Sequence, residues 1–438
     1  MQSSGRWRIE PARRIAGEVL LPGDKSISHR ALIFSALSSG EQVIDGLSGG
    51  EDVLSTAVAL RALGASLELM PDGATRVGPL LQGRLTAPSG PLDCGNSGTT
   101  MRLLAGVAAG QPFETVLDGD ASLRRRPMKR VTDPLTRMGA RAHGTERSGM
   151  APLRIEGGTL RGISHRSSVA SAQVKSCLLL AGLFAEGRVE VIEPTLSRDH
   201  SERMLRAAGV EVDSFSGGVA MSCGQRIRLP EGRMRVPRDL SAAAFFVVAA
   251  SILGPPDLLL PELGNNPTRR GFLEVLSGVT VEDALTEFGE ERGTLRVTSS
   301  SPVPRGAPLT LAGEMIPKLI DEIPVLAILA ARRPGVSRIV DAADLRTKES
   351  DRIETTASML RAFGVSVETL PDGMLIEGDP DRPLRGGCSI DSHGDHRIAM
   401  AAAVGALAAD APVEVTGVKA VDTSFPNFIE TLESCVER

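Results

Sequence analysis

The chain is 438 residues long, with 42% hydrophobic and 24% charged residues and a formal net charge of −5. That length exceeds what one ordinary core serves and points to two domains of about 200 residues each. The acidic balance argues against a nucleic-acid surface, the lack of Tyr and the single Trp remove the stacking platforms of single-strand binders, and the longest apolar runs, near 242–254 and 398–409, fall short of the ~18 residues a membrane span needs.

Of the 49 basic residues only six are lysine (25, 129, 175, 318, 348 and 419); the rest are arginine. Codon bias accounts for the preference, and a lysine that survives it marks a place where a compact ammonium is wanted. The five cysteines are scattered without a C-x-x-C, and the six histidines show no H-E-x-x-H. Neither a disulfide framework nor a metal site is expected, and a reducing cytoplasm suits the chain. The N-terminal stretch MQSSGRWRIEPARR has no apolar signal core.

In chain order, one pattern recurs. A polar turn is followed at once by a small, apolar, helical stretch ending near Gly. The copies are 23–40 (GDKSISHRALIFSALSSG), 93–110 (DCGNSGTTMRLLAGVAAG), 168–187, 237–254, 317–335 and 392–410. They stand roughly 70–80 residues apart, longer than solenoid repeats. A second helical pattern follows most copies, at 52–65, 131–140, 200–210 and 351–365, and short alternating strands come next, such as SLELMPDG (66–73) and SVETLPDG (366–373). The unit reads strand, helix, strand, helix, strand, strand, and six copies fill the chain. The first helix of each is apolar nearly all round and so buried on every side; the second is amphipathic and so superficial. Three buried helices per domain, surrounded by sheet, satisfy both. An ordinary doubly wound α/β protein is the alternative, but it lacks such repetition.

Polar residues cluster where the buried helices begin: Lys25, Ser26 and Arg30; Asn96, Ser97 and Gly98; Ser171 and Gln173; Arg397. Helix N-termini present unpaired N–H groups and partial positive charge, so several of them together would hold an anionic substrate. Asp239 and Ser241, with no basic residue following, fit simple capping. Three more cationic runs sit at equivalent ends of the repeat: Arg124-Arg125-Arg126, Arg198 in SRDH, and RTKESDR at 346–352. The stretch GEVLLPGDKS is no Walker A loop, because its first spacer is one residue too long and Asp24 precedes the Lys; no G-x-G-x-x-G follows a strand. Asp321, between Ile320 and Ile323 at the start of a buried helix, and Glu349, beside Lys348, are the acid and base candidates.

The segments PGDKSISHR (22–30), NSGTTMR (96–102), GDASLRRRPM (119–128), SAQVKS (171–176), RDH (198–200), IDEIP (320–324), KESDR (348–352) and DHRIAM (395–400) closely resemble the 5-enolpyruvylshikimate-3-phosphate synthase family, in the family's order and over nearly the whole chain, with spellings like its class II branch. The resemblance implies an α/β fold, a two-domain inside-out α/β barrel of six βαβαββ units (the enolpyruvyl transferase fold). One domain would span 24–237; the other would join 1–23 to 238–438. It implies transfer of the enolpyruvyl group of phosphoenolpyruvate to the 5-hydroxyl of shikimate 3-phosphate, with no cofactor, metal or nucleotide, by a cytoplasmic monomer that binds neither nucleic acid nor membrane. Lys25, Ser26, Arg30, Ser171, Gln173, Arg198, Asp321 and Lys348 would hold shikimate 3-phosphate. Lys25, Gly98, Arg126, Gln173, Arg352 and Arg397 would hold phosphoenolpyruvate. Glu349 would be the general acid and Asp321 the general base, with Lys25 assisting. The sister enzyme acting on UDP-N-acetylglucosamine usually carries a Cys in the loop equivalent to 119–128, and this loop has none. Three positions depart from many members: Thr423 stands in place of a Lys, Asp344 in place of an Asn, and Leu103, as in class II, in place of a Pro.

Overall fold

In the computed structural model, which describes residues 5–80, 84–145, 149–230, 232–276, 278–298 and 306–438, the recurring polar turn becomes a helix start each time. Every expected site residue lies among those described; the first four residues of the expected second domain lie outside them. Internal contacts divide the chain into two units. The inserted unit comprises Gly23–Pro237 with Thr286–Glu290, and the flanking unit comprises Met1–Pro22, Arg238–Leu285 and Glu291–Arg438.

The inserted unit carries α1 (Lys25–Leu37), α2 (Glu51–Ala62), α3 (Gly98–Ala109), α4 (Lys129–Met138), α5 (Ala172–Gly182) and α6 (His200–Ala207). Asp24, Ser97 and Ser171 cap α1, α3 and α5, each accepting the N–H three residues on, which satisfies one of the orphan donors of the first turn. These three helices are buried along most of their length, whereas α2, α4 and α6 bury one face. Gly106 lets α3 lie directly on α5: a Cβ there would sit 2.2 Å from the Cys177 carbonyl oxygen.

Three sheets repeat one topology. In the second, Leu92–Asp93 runs parallel to Glu114–Asp118, which pairs antiparallel with Leu153–Glu156, and that strand with Arg141–His143. In the third, the same places are taken by Ser164–Arg166, Arg188–Ile192, Gly218–Ser222 and Val212–Phe215. In the first, Gln42–Asp45 pairs with Thr75–Gly78 and that with Ser66–Leu69, while the parallel place is filled by Arg233–Arg235 from the far end of the segment. A parallel strand pair on either side of a helix requires the crossover that the buried helix provides.

The flanking unit repeats the scheme with α7 (Leu240–Ile252), α8 (Ile316–Leu319), α9 (Ile323–Ala331), α10 (Arg352–Ala362), α11 (His396–Leu407) and α12 (Phe428–Ser434). Helices α7, α9 and α11 pack on one another in its core. Thr310–Leu311, Gly335–Ile339, Gly373–Gly378 and Ser366–Leu370 form a sheet of the same order. Ser389–Asp391 runs parallel to Val413–Thr416, whose other edge is completed by the N-terminal strand Arg6–Ile9. Arg14–Glu18 runs parallel to Asp257–Gly264 and so takes the place of the strand before α7.

Two local expectations are corrected. The stretch 317–335 is not one helix: it breaks after α8 and restarts at α9, with Asp321 in the turn. Pro324 is the reason, since it lacks an N–H and its ring collides with the carbonyl four residues back, at Ile320. The second helix of the fourth copy is reduced to a 3-10 turn, Arg270–Val275. Asp239 caps α7 as the capping reading expects, accepting from the N–H groups of Ser241 and Ala242. Among the described residues no helix is long and apolar enough to cross a membrane.

Candidate active site

In the inserted unit, Lys25 opens α1 with its ammonium 3.0 Å from Asp52 Oδ2, the two side chains 17% and 11% exposed. Asp52 is anchored from behind. The Thr100 hydroxyl donates to the Asp52 carbonyl at 3.2 Å; Thr100 Oγ1 also meets Thr56 Oγ1 at 2.7 Å, which in turn meets His29 Nδ1 at 2.7 Å. This buried line of hydroxyls ties the first turns of α1, α2 and α3 together.

Gln173, on the first turn of α5, bridges to α3. Its Oε1 accepts from Arg102 Nη1 at 2.5 Å and its Nε2 donates to Thr99 Oγ1 at 2.9 Å. Arg126 is buried, and its Nη2 donates to Asn96 Oδ1 at 2.5 Å. A Cβ at Gly98 would lie 2.7 Å from Arg102 Nη1 and 3.2 Å from Arg126 Nη1. A bare backbone at a helix N-terminus, facing two guanidinium groups, is an anion cradle. Arg102 was not expected as a site residue. The signal was its spacing: four residues after Gly98 on an apolar helix, it shares that glycine's face.

The arginine run at 124–126 divides. Arg124 and Arg125 are exposed, and Arg124 forks onto Asp118 at 2.8 and 2.5 Å; only Arg126 turns inward. Arg30 is buried too. Its Nη1 donates to the Ser26 carbonyl, its Nε to Ser201 Oγ and its Nη2 to Ser176 Oγ, all within 2.7–2.8 Å. Burial, with a smaller push from half-buried Arg198, brings its pKa down to about 10 against the pull of Glu202, Asp24 and Glu290.

In the flanking unit a second cluster forms around Arg352, whose side chain is 1% exposed. Its Nη1 is 3.3 Å from Asp321 Oδ1, its Nη2 is 2.6 Å from Glu349 Oε2, and its Nε is 2.8 Å from Asp395 Oδ2. Burial opposes its charge, but Asp395, Glu349 and Asp321 outweigh burial and hold its pKa above the usual range. Lys348 reaches the same Asp321 oxygen at 3.3 Å. Arg397, on the first turn of α11, donates through Nη1 to Ser241 Oγ at 2.6 Å and to the Asp321 carbonyl at 3.0 Å, with Glu322 Oε1 at 3.4 Å. Ser241 in turn donates to Glu322. Asp395, Glu322 and Ser241 escaped sequence reasoning as partners of these cations. Asp395 and Glu322 stood within quoted motifs without a role, and Ser241 was legible only as part of a helix cap. Of the departures, Asp344 lies in the 3-10 turn Ala343–Thr347, and the Thr423 hydroxyl donates to the Ala420 carbonyl at 2.7 Å.

The expected residues thus fall into two clusters, one per unit. The first offers cations and helix N-termini for anionic groups. The second offers two part-exposed carboxylates, Asp321 and Glu349, on one buried guanidinium, a setting for moving protons beside an anion.

A model of the EPSP synthase (3-phosphoshikimate 1-carboxyvinyltransferase) family matches residues 9–432. The 3-phosphoshikimate 1-carboxyvinyltransferase of Synechococcus sp. (strain JA-3-3Ab) is 49% identical over 435 residues, 98% of this chain and 96% of that protein. That of Pelotomaculum thermopropionicum is 50% identical over 428 residues, 97% of each. Among solved structures, an EPSP synthase from Acinetobacter baumannii aligns with a TM-score of 0.85 at 39% identity, covering 98% of both chains. The fold is accordingly the enolpyruvyl transferase fold of repeated βαβαββ units. With agreement along the whole chain in sequence and in structure, this protein belongs to the EPSP synthase (3-phosphoshikimate 1-carboxyvinyltransferase) family.

Proposed function

We propose that the chain performs its family's reaction through these two clusters, moving the enolpyruvyl group of phosphoenolpyruvate onto the 5-hydroxyl of shikimate 3-phosphate and releasing phosphate. Lys25, Ser26, Arg30, Ser171, Gln173 and Arg198 of the inserted unit, with Asp321 and Lys348 of the flanking unit, hold shikimate 3-phosphate. Lys25, Gly98, Arg126 and Gln173, with Arg352 and Arg397, hold phosphoenolpyruvate. Both substrates are polyanions, which accounts for the excess of cations over acids in the first cluster.

The division of labour between the carboxylates carries the mechanism. Asp321 faces two cations, Lys348 and Arg352, and Glu349 faces Arg352. A carboxylate held between two cations stays ionised, which suits Asp321 as the base. When anionic phosphoenolpyruvate engages Arg352, its negative charge arrives beside Glu349 and favours protonation there, which suits the acid. Glu349 then gives its proton to the methylene carbon, and positive charge develops on C2. The 5-hydroxyl oxygen bonds to C2 as Asp321 takes its proton. The C–O bond to phosphate breaks, the former methylene carbon loses a proton to the Glu349 carboxylate, and the enol ether forms. Lys25, which pairs with Asp52, assists proton transfer in this reading.

The observation that supports this reading best is the sharing of one buried guanidinium by Asp321 and Glu349. The test is purified protein with both substrates. Phosphate release that requires shikimate 3-phosphate, with the enol ether product identified by NMR, sustains the proposal; release independent of that substrate overturns it. The same reading places the enzyme in the cytoplasm, where its five cysteines, all unpaired here, remain thiols, and takes it to act as a monomer, to be checked by sedimentation.

A further inference from the structure

Lys175 is one of the few lysines in an arginine-rich chain, and neither substrate assignment uses it. It lies on α5, one turn in from Ser171, with its side chain 3% exposed. Its ammonium sits 2.9 Å from Glu193 Oε2 and 2.8 Å from Glu202 Oε1, carboxylates whose side chains are 1% and 4% exposed. A third contact is the Ser197 carbonyl oxygen at 3.3 Å. A compact ammonium with three rotatable donors suits three acceptors around a point, where a planar guanidinium does not.

Glu193 reaches further than this pair. Its Oε1 accepts the Ser171 N–H at 3.1 Å, and its Oε2 accepts the Ser197 N–H at 3.3 Å. Ser197 is therefore gripped through both its N–H and its C=O, immediately before Arg198, and Ser171 is gripped at the start of α5. Glu202 directly follows Ser201, the hydroxyl that receives Arg30 Nε, and Glu202 is the strongest charge sustaining Arg30 against burial. One buried ion cluster thus supports Ser171, Arg198 and Arg30. A buried triad adds little net stability compared with well-packed apolar side chains, so its value lies in the geometry it holds.

We propose that Lys175, Glu193 and Glu202 form a positioning device that sets the spacing of Ser171, Arg198 and Arg30 for shikimate 3-phosphate. The inference rests on the assignment of those three residues to that substrate. The device acts selectively, because the phosphoenolpyruvate groups around Gly98 are held by other contacts, Asn96 to Arg126 and Arg102 to Gln173.

The experiment uses the full-length enzyme with Glu193→Gln, Lys175→Met and, as a control on the assignment, Arg198→Ala. Glu193→Gln keeps the shape but loses the charge and turns an amide N–H toward donors. It should raise KM for shikimate 3-phosphate, and Kd measured by calorimetry without phosphoenolpyruvate, about tenfold. KM for phosphoenolpyruvate should stay within about twofold, and the melting temperature should fall, because one charge of a buried pair is lost. Lys175→Met should move the same constant in the same direction; should it fail to fold, Glu193→Gln decides alone. An unchanged constant for shikimate 3-phosphate in Glu193→Gln overturns the proposal, and so does a parallel rise for both substrates, which marks general loosening. If Arg198→Ala weakens shikimate 3-phosphate while Glu193→Gln does not, the device fails and the substrate assignment stands. If Arg198→Ala has no effect, the assignment fails and the device falls with it.

Discussion

Asp395 grips Arg352 with both carboxylate oxygens, Oδ2 to Nε at 2.8 Å and Oδ1 to Nη2 at 3.2 Å, and with Oδ1 it also caps α11 at the Arg397 N–H, 2.9 Å away. A single buried carboxylate therefore orients Arg352 directly and sets the helix start that carries Arg397, the two cations proposed to hold phosphoenolpyruvate in this unit. Asp395→Asn keeps a good cap but removes the charge. Breaking a buried pair costs about 3–5 kcal/mol, and with Asp321 and Glu349 still facing Arg352 the low end is expected. Calorimetry should show a lower melting temperature, and KM for phosphoenolpyruvate should rise. Asp395→Ala should lose about a further 1 kcal/mol with the cap. Equal stability of the Asn variant and the parent would remove Asp395 from this role.

Gly98→Ala tests the anion cradle. The new Cβ would fall within 2.7 Å of Arg102 Nη1 and 3.2 Å of Arg126 Nη1, the ends of flexible side chains, so the fold survives while the cations are displaced. The expected result is a KM for phosphoenolpyruvate raised about tenfold, with shikimate 3-phosphate affinity little changed, since positioning cations on an anion is worth roughly 1.5–3 kcal/mol per contact. Equal losses for both substrates would argue against the cradle.

The arginine run offers an internal comparison. Arg124 is spent on Asp118 at the surface and Arg125 is exposed, while Arg126 is buried against Asn96. Arg126→Ala should weaken phosphoenolpyruvate by about tenfold or more, whereas Arg124→Ala and Arg125→Ala should stay within about twofold, as exposed ion pairs contribute under about 1 kcal/mol. Similar effects from all three would show that the run acts as a diffuse field.

These contrasts mark what a linear reading reaches. The buried helices were legible because each is apolar on every side, and the cations at their starts because a Lys or Arg there has no packing reason. The break before α9 was legible in Pro324 and was passed over because the apolar run continues across it. The partners were not legible. Arg397 meets Glu322 and Ser241 from distant parts of the chain, Lys175 meets Glu193 and Glu202 across a strand and a turn, and Arg6–Ile9 completes a sheet with Val413–Thr416 near the opposite terminus. No local period encodes such pairings; they exist only once the repeats have stacked.

Asp321→Asn isolates the proposed base. The amide can still accept from Lys348 or Arg352, so binding should persist, but it cannot take a proton from the attacking hydroxyl. Turnover should fall by about 10²–10⁴-fold with both KM values within several-fold. Near-parental turnover would refute the base assignment.

His29 gives the fold a pH signature. It is fully buried, its Nδ1 bonded to Thr56 and its Nε2 without a hydrogen-bond partner among the described residues. Burial, reinforced by Lys25 and Arg30, holds its pKa well below the ordinary 6.5. The unfolded chain takes up a proton near pH 6.5 and the folded chain does not. This contribution to stability is therefore complete above that pH and is lost as pH falls below it, by about 1.4 kcal/mol per pH unit until the folded imidazole itself titrates. Asn offers an amide at the Nδ1 position and cannot titrate. His29→Asn should be less stable than the parent at pH 7.5, through lost packing, yet its urea midpoint should decline less steeply between pH 6.5 and 5. The difference between the two slopes isolates this residue from every other titrating group, and identical slopes would show that His29 is protonated in the folded chain.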